Sequence, residues 1–488
     1  MIKDVKTSFS TRMIIDEFKK DIFDSNIRLP DNLLTRLFSA MVSKPFVILT
    51  GLSGSGKSKI AQAIVRWLVS ANGVEKSLLL DVGETIVGNS ENYTVVGVDS
   101  FCYQIELNGR IRAVPIGLVE EWVIFLTDRP EMAVGKSRPI REQLSKNSRF
   151  DKYEHGYDGM LLRIFNHIKQ RDSGKQHMRT VQQYRFIPVG AGWSNNENLL
   201  GYANALDPKE YVMPDTGALE LMLDANENPT KPFFLVLDEM NLSHVERYFA
   251  DFLSVMESEE KIQLYKGSPR TANGRGIPQD MPWPKNLFII GTVNIDETTY
   301  MFSPKVLDRA QVIEFRVAPD EMNAYLTNPS LEIKMEALAG KGVEFAEAFL
   351  AQAQKKDIKL PEGTVERLKA FFGPLAEVGA EFGYRTANEF LLFVGQYMEL
   401  AKDTGLDVVV DYAVMQKLLP KLHGSKRKLR GPLNALWTLC LKDGAQTKLM
   451  DSKGINFKDI CKHPVSAEKI SRMYFNAEEN GFTSYAEA

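Results

Sequence analysis

Eight consecutive residues constrain this chain more than any others: Gly51, Leu52, Ser53, Gly54, Ser55, Gly56, Lys57 and Ser58. They fill every fixed place of a phosphate-binding loop, in which a glycine is followed, after four residues, by Gly-Lys-Ser. Such a loop needs a buried strand before it and a helix after it, because backbone N–H groups and a helix N-terminus must converge on one anion. Both are present in the sequence. Phe46, Val47, Ile48, Leu49 and Thr50 make a short apolar run of the kind found in strands covered on both faces, and Ile60, Ala61, Ile64, Val65 and Leu68 place one apolar stripe on a helix. In this pattern Gly51, Ser53, Gly54, Ser55 and Gly56 shape the cradle. Lys57 neutralises β- and γ-phosphate oxygens, and the Ser58 hydroxyl ligates magnesium.

Two more buried strands stand out, Phe233 to Leu237 and Leu287 to Val293, and each runs into polar residues. In an open parallel sheet, chemistry collects at the carboxyl ends of strands. There the first places Asp238, suited to a magnesium shell, and Glu239, suited to polarise an attacking water. The second places Asn294, either a neutral donor to the water or γ-phosphate or a turn residue that ends the strand. Asp296 and Glu297, next along, either bind metal or face solvent. Phe186 to Val189 and Val312 to Phe315 supply two further strands, for a sheet of about five. Residues 242–257 read as a helix with Val245, Phe249, Phe252 and Met256 on one face, and Asp238 or Asn241 is also a candidate helix cap.

These signals divide the chain into a helical extension at residues 1–44, an α/β nucleotide-binding domain at 45–330, a helical lid domain at 331–440 and a tail at 441–488. More than a hundred residues separate the loop's helix from Phe186, too many for a simple crossover, so an inserted subdomain is expected at about residues 81–183. Its first half carries a hairpin signal, Asn108-Gly109, between two alternating runs. Its second half is basic: residues 136–185 hold twelve Lys and Arg against five Asp and Glu, with Phe150, Tyr153 and Phe165 interleaved. Clustered cations suit a phosphate backbone, and they equally suit a solvated face. Residues 271–283, rich in Gly and Pro, read as an exposed loop.

Bulk composition excludes several classes. Apolar content of 44% and charged content of 25% are globular values. No apolar run approaches the roughly 18 residues of a membrane span, and the first residues lack a secretory signal, so a soluble cytoplasmic protein with no membrane partner is expected. Cys102, Cys440 and Cys461 lie too far apart for paired metal-ligand spacing or a disulfide framework. A net charge of −3 gives no global attraction to nucleic acid.

The segments Trp193 to Tyr202, Leu237-Asp238-Glu239-Met240-Asn241-Leu242 and Gly291-Thr292-Val293-Asn294-Ile295-Asp296, together with the phosphate loop, resemble the AAA+ motor subunits of modification-dependent restriction systems, the McrB type. The likeness spans roughly residues 45 to 430. It implies an AAA+ P-loop fold with a parallel sheet core, a large insert after the loop's helix and a C-terminal helical lid. It also implies a homo-oligomeric ring, a hexamer in the family, that uses Mg2+ with ATP or GTP and drives a separate McrC-like nuclease or other effector on DNA. Within the resemblance, Arg385, in Phe382-Gly383-Tyr384-Arg385-Thr386, matches a lid arginine that touches the γ-phosphate; the plain alternative is a helix-start arginine. Arg309, after Leu307-Asp308, is the nearest candidate for an arginine acting across a subunit interface, or else a surface or capping residue. Two departures from the family pattern are the missing arginine cluster after Arg309 and an amino end of about 44 residues, too short for a base-reading domain. A second basic stretch, residues 417–430, either contacts DNA phosphates or covers an acidic neighbour. A protein-remodelling MoxR-like ATPase and a nucleotide-gated switch on a toxic effector are the competing functional readings.

Overall fold

In a computed structural model, five apolar runs become five parallel strands: β1 (Phe46–Gly51), β2 (Tyr184–Pro188), β3 (Phe233–Asp238), β4 (Leu287–Asn294) and β5 (Gln311–Phe315). The residues described are 11–71, 73–77, 85–86, 93–98, 102–107, 110–115, 119, 160, 164, 167, 178–258, 260–273, 275–295, 300, 302–317, 319–327, 333–355, 357–485 and 488. The strands lie side by side in the order β5-β1-β4-β3-β2. β1 is buried along its whole length, which explains why its sequence is a continuous apolar run instead of an alternating one. Register fixes the rim. Gly51 pairs with Asn294 on one side and Phe315 on the other, while Leu237 pairs with Gly291. The polar tips of β1, β3 and β4 therefore end on one edge of the sheet, as strand polarity requires.

The amino-terminal extension is two helices, α1 (Thr11–Asp24) and α2 (Asp31–Ser43), and the phosphate loop leads into α3 (Lys57–Leu68). The stripe expected on α3 is buried, and Trp67 joins it. The Trp67 indole stacks on Phe345 with ring centres 5.5 Å apart and donates to Asp21 Oδ2 at 2.7 Å. One side chain thus ties α1, α3 and the start of the helical region together. Gly342 allows this, since a Cβ there would lie 2.3 Å from the indole ring.

The insert leaves and rejoins the core through one antiparallel pair, Val74–Ser77 with Met178–Val181, in which Ser77 faces Met178. Beyond this neck, Cys102–Leu107 and Arg110–Pro115 pair antiparallel with Leu107 opposite Arg110, the two-residue hairpin that Asn108-Gly109 signals. Residues 271–283 differ from the exposed loop expected. Arg270–Ala272 and Arg275–Ile277 form a hairpin whose Arg275 pairs with Val98 of the insert sheet, and Asp280–Pro282 pairs with Lys261–Gln263. The reason is a buried ion pair set. Arg275 meets Asp224 at 2.9 Å and Glu227 at 2.6 Å, both on α4 (Ala218–Glu227), and Ile277 and Met281 fill apolar space. Gly276 and Pro282 lie within these short strands, and Gly276 is buried, so the stretch is folded onto the core instead of standing in solvent.

The helix expected over residues 242–257 is interrupted: a short turn, Val245–Tyr248, is followed by α5 (Ala250–Ser258). Past β5 the structure is helical, with α6 (Tyr384–Leu400), α7 (Leu406–Ala413) running into a π-helical turn at Val414–Leu418, α8 (Lys426–Cys440) and α9 (Pro464–Asn480). Of residues 441–488, expected as a tail, 441–485 are integrated into this domain. α9 packs on α8, and Phe482–Ser484 pairs with His423–Ser425. The apolar positions of α9 are separated by polar ones that are themselves buried, which hid its core role from a pattern reading. Cys440 and Cys461 are free and buried. No described helix is long and apolar enough to cross a membrane.

α9 also grips the sheet. Glu314 of β5 is buried and bound by Lys469 at 2.9 Å and Arg472 at 3.0 Å. Burial alone would raise the Glu314 carboxyl, but the two cations outweigh it and hold it down at about 2. A carboxyl lowered on folding gives stability that is complete above its ordinary value near 4.5 and is lost as pH falls through 2. Chemical denaturation between pH 5 and pH 2 should therefore lose stability in that window. Glu314→Gln, which strands Lys469, should cost about 3–5 kcal/mol at neutral pH and flatten the acid response.

Candidate functional site

Backbone conformation makes the cradle. Gly54 and Gly56 take φ of 74° and 93°, and Gly56 sits immediately before α3. Side chains rarely adopt these values. Gly51 is required for a second reason: a Cβ there would lie 2.2 Å from the carbonyl oxygen of Phe315 on β5. Lys57 is almost fully buried and curls back over the loop, donating to Gly51 O at 2.9 Å, Leu52 O at 2.6 Å and Ser55 Oγ at 3.3 Å. Its ammonium therefore lies at the mouth of α3, where an anion would meet both this charge and the helix N-terminus.

Ser58 and Asp238 are brought into contact, with Ser58 Oγ donating to Asp238 Oδ1 at 2.6 Å. The same oxygen accepts from Thr292 Oγ1 at 2.5 Å, and Thr292 Oγ1 in turn accepts from the Glu239 backbone N–H at 3.0 Å. Glu239 is one of three non-glycine residues with positive φ among those described, at φ 53° and ψ 48°. This left-handed step turns the chain out of β3 and starts the tight turn Met240–Leu242, with Leu242 N–H donating to Glu239 O at 2.8 Å. Asn294 Nδ2 reaches Glu239 Oε1 at 3.5 Å, and Asn241 Nδ2 donates to Asn294 O at 3.0 Å. Asn241 therefore braces the end of β4, and the turn Met240–Leu242 has no side-chain cap.

Loop, Ser58, Asp238, Glu239 and Asn294 thus occupy one rim of the sheet. Asp238 and Ser58 offer touching hard oxygen donors, which suits a magnesium ion that takes its remaining ligands from phosphate and water. Among the described residues no group of three or more acidic, His or Cys side chains forms a metal cage of its own. When bound, magnesium would supply charge neutralisation between phosphate oxygens.

The two arginines lie together elsewhere. Arg385, at the start of α6, pairs with Glu257 and Asp308. Arg309 also pairs with Glu257, and it donates to Leu253 O at 3.1 Å and Lys305 O at 3.0 Å. Both guanidinium groups thus share the carboxylate at the end of α5. Asp308 also receives Lys421, and Glu389 of α6 receives Lys44 and Lys417. Burial pushes the Lys417 ammonium down to about 7 against the pull of Glu389. The network joins the helical domain to the residues that flank β1 and β5. In the basic stretch 417–430, Lys417, Lys421 and Lys426 each meet an acidic side chain, whereas Arg427, Lys428 and Arg430 are exposed. Asp296, Glu297, Lys136, Arg138 and Arg141 lie outside the described residues.

Thr292 is the site residue that sequence reading missed. It stands in the Gly291-Thr292-Val293-Asn294 run, and its place two residues before Asn294 on the same strand sends both side chains to the same face.

A family model described as a domain of unknown function, DUF8727, matches residues 332–482, a span that runs across the boundary expected at residue 440. No curated protein is matched by the sequence. A solved structure of a "putative ATPase" from Cytophaga hutchinsonii is similar at 12% identity, with a TM-score of 0.35, over 84% of this chain and 87% of that one.

Proposed function

We propose that this protein is a magnesium-dependent nucleoside triphosphatase of the AAA+ type. The observation that carries the reading is the single rim on which Lys57, the Ser58–Asp238 contact, Glu239 and Asn294 converge. Lys57 and the loop N–H groups bind the β- and γ-phosphates, and α3 adds its dipole. Glu239 takes a proton from the attacking water, and Asn294 orients that water or the γ-phosphate. The strand between β1 and β3 supports this division of labour, because it sets Asn294 between the phosphate loop and the acidic pair.

The finer reading is a ring motor with ATP or GTP bound between subunits, driving a separate McrC-like nuclease or other effector on DNA in a restriction or antiphage complex. It is supported by the motif wording and by the basic composition of residues 136–185. In that ring Arg309 would have to leave Glu257 to reach a neighbour's nucleotide, and Arg385 would have to leave the same carboxylate to reach its own.

Turnover of ATP and GTP, with and without duplex DNA and alongside particle mass, tests both levels. Magnesium-dependent hydrolysis by a multimer, stimulated by DNA in a salt-sensitive way, is expected. Hydrolysis indifferent to DNA would move the substrate to protein, and absence of hydrolysis under all conditions would overturn the enzyme. In the same assay Arg309→Ala should bind nucleotide normally and lose about 10³-fold or more in turnover if it completes a neighbour's site. Normal turnover in the assembled Arg309→Ala protein removes it from that role.

A further inference from the structure

We infer that Thr292 is a positioning residue for catalysis, holding Glu239 in the backbone conformation from which it meets water. The inference rests on the triphosphatase reading above. Register makes the contact. Leu237 pairs with Gly291, so the next positions, Asp238 and Thr292, face each other at the strand tips. Thr292 is 2% exposed, and no solvent competes for its hydroxyl.

The direction of every hydrogen bond here is fixed by chemistry. A backbone N–H can only donate, so the bond from Glu239 N at 3.0 Å uses a lone pair of Thr292 Oγ1. A carboxylate can only accept, so the single Thr292 hydrogen goes to Asp238 Oδ1 at 2.5 Å. The hydroxyl is used once as donor and once as acceptor, and it spans two successive residues of β3. Between those residues the chain leaves the strand and enters the left-handed region, at φ 53° for a glutamate. A side chain held in this conformation needs partners that fix it. Thr292 fixes the N–H side of Glu239, the turn bond from Leu242 fixes its carbonyl, and Asn294 reaches its carboxylate. Thr292 also touches the carboxylate that faces Ser58. The hydroxyl therefore ties the aim of Glu239 to the geometry around Asp238.

Valine has threonine's shape without its hydroxyl, so Thr292→Val removes both bonds and leaves the strand packing in place. Serine keeps the hydroxyl and loses only the methyl. Thr292→Val is expected to lower kcat about 10- to 100-fold, the scale of a misplaced catalytic group. KM and the affinity for a non-hydrolysable triphosphate should change less than about threefold, and Thr292→Ser should recover most of kcat. A cycle with Glu239→Gln separates positioning from a second, independent effect. If Thr292 acts through Glu239, adding Thr292→Val to Glu239→Gln costs almost nothing more. Far-ultraviolet dichroism, the melting temperature and triphosphate affinity verify that each variant is folded.

Unchanged kcat in a folded Thr292→Val protein overturns the inference, as does a full additive loss on top of Glu239→Gln. Failure of Thr292→Ser to recover activity overturns it too, since the hydroxyl would then not be the operative group. Wild-type protein without any triphosphate turnover would instead overturn the parent reading, and the two failures are distinguished by that one control.

Discussion

Lys57→Ala will bind no triphosphate at concentrations that saturate the wild-type protein. The Lys57 ammonium lies at the mouth of the loop and is held by two main-chain carbonyls and the Ser55 hydroxyl. These contacts hold it where a phosphate would bind. Phosphate oxygens would exchange those bonds for charged ones, each worth about 1.5–3 kcal/mol when lost. Two such bonds correspond to roughly two to four orders of magnitude in affinity. Titration with a fluorescent triphosphate analogue measures this directly. Wild-type affinity or turnover in Lys57→Ala would remove the site assignment altogether.

Glu239→Gln should do the opposite: bind triphosphate as wild type does and lose about 10²- to 10⁴-fold in turnover, the usual contribution of a general base. Glutamine keeps the side-chain length and the oxygen that Asn294 approaches, so the rim's shape survives. It cannot take a proton from water. Single-turnover measurements with labelled nucleotide distinguish slow chemistry from slow binding, and a variant that still cleaves at near wild-type rate would hand the base role to another group. In a multimer, Glu239→Gln should also hold its nucleotide and keep the particle in the triphosphate-bound assembly.

Much of this site was legible in the sequence because its requirements are local. The loop glycines answer to backbone angles, the strands before them to burial on both faces, and the Asp238-Glu239 pair to a strand tip. The pairing of Cys102–Leu107 with Arg110–Pro115 was legible for the same reason, since Asn-Gly between two alternating runs is a local signal for a hairpin. What escaped was set at a distance. Arg275 looks like a loop residue until Asp224 and Glu227, some fifty positions earlier, draw it into the interior. Arg309 and Arg385 are separate candidates in sequence, and only packing of the helical domain brings both to Glu257. Thr292 stands in the Gly291-to-Asp296 segment, but its contact with Asp238 depends on the register between β3 and β4, which no single segment encodes. α9 was read as tail because its buried serines and lysine disguise an interior helix, held by contacts with Glu314 and Asp411 that no periodicity encodes.

The neck formed by Val74–Ser77 and Met178–Val181 has a consequence for the order in which the chain assembles. From the viewpoint of the sheet, everything between Ser77 and Met178 is one loop whose ends are already adjacent. Closing a flexible loop costs an entropy that rises only with the logarithm of its length, so a hundred extra residues burden the core by little more than a short connection would. The slow step lies elsewhere, in bringing β1 beside β4 and β5, which are more than two hundred positions away in the chain. The length of the insert therefore adds little to the cost of closing the core. The Arg275↔Val98 pairing joins the insert sheet to the hairpin that Arg275 anchors on α4, so the insert is tied to the core at a second place besides the neck.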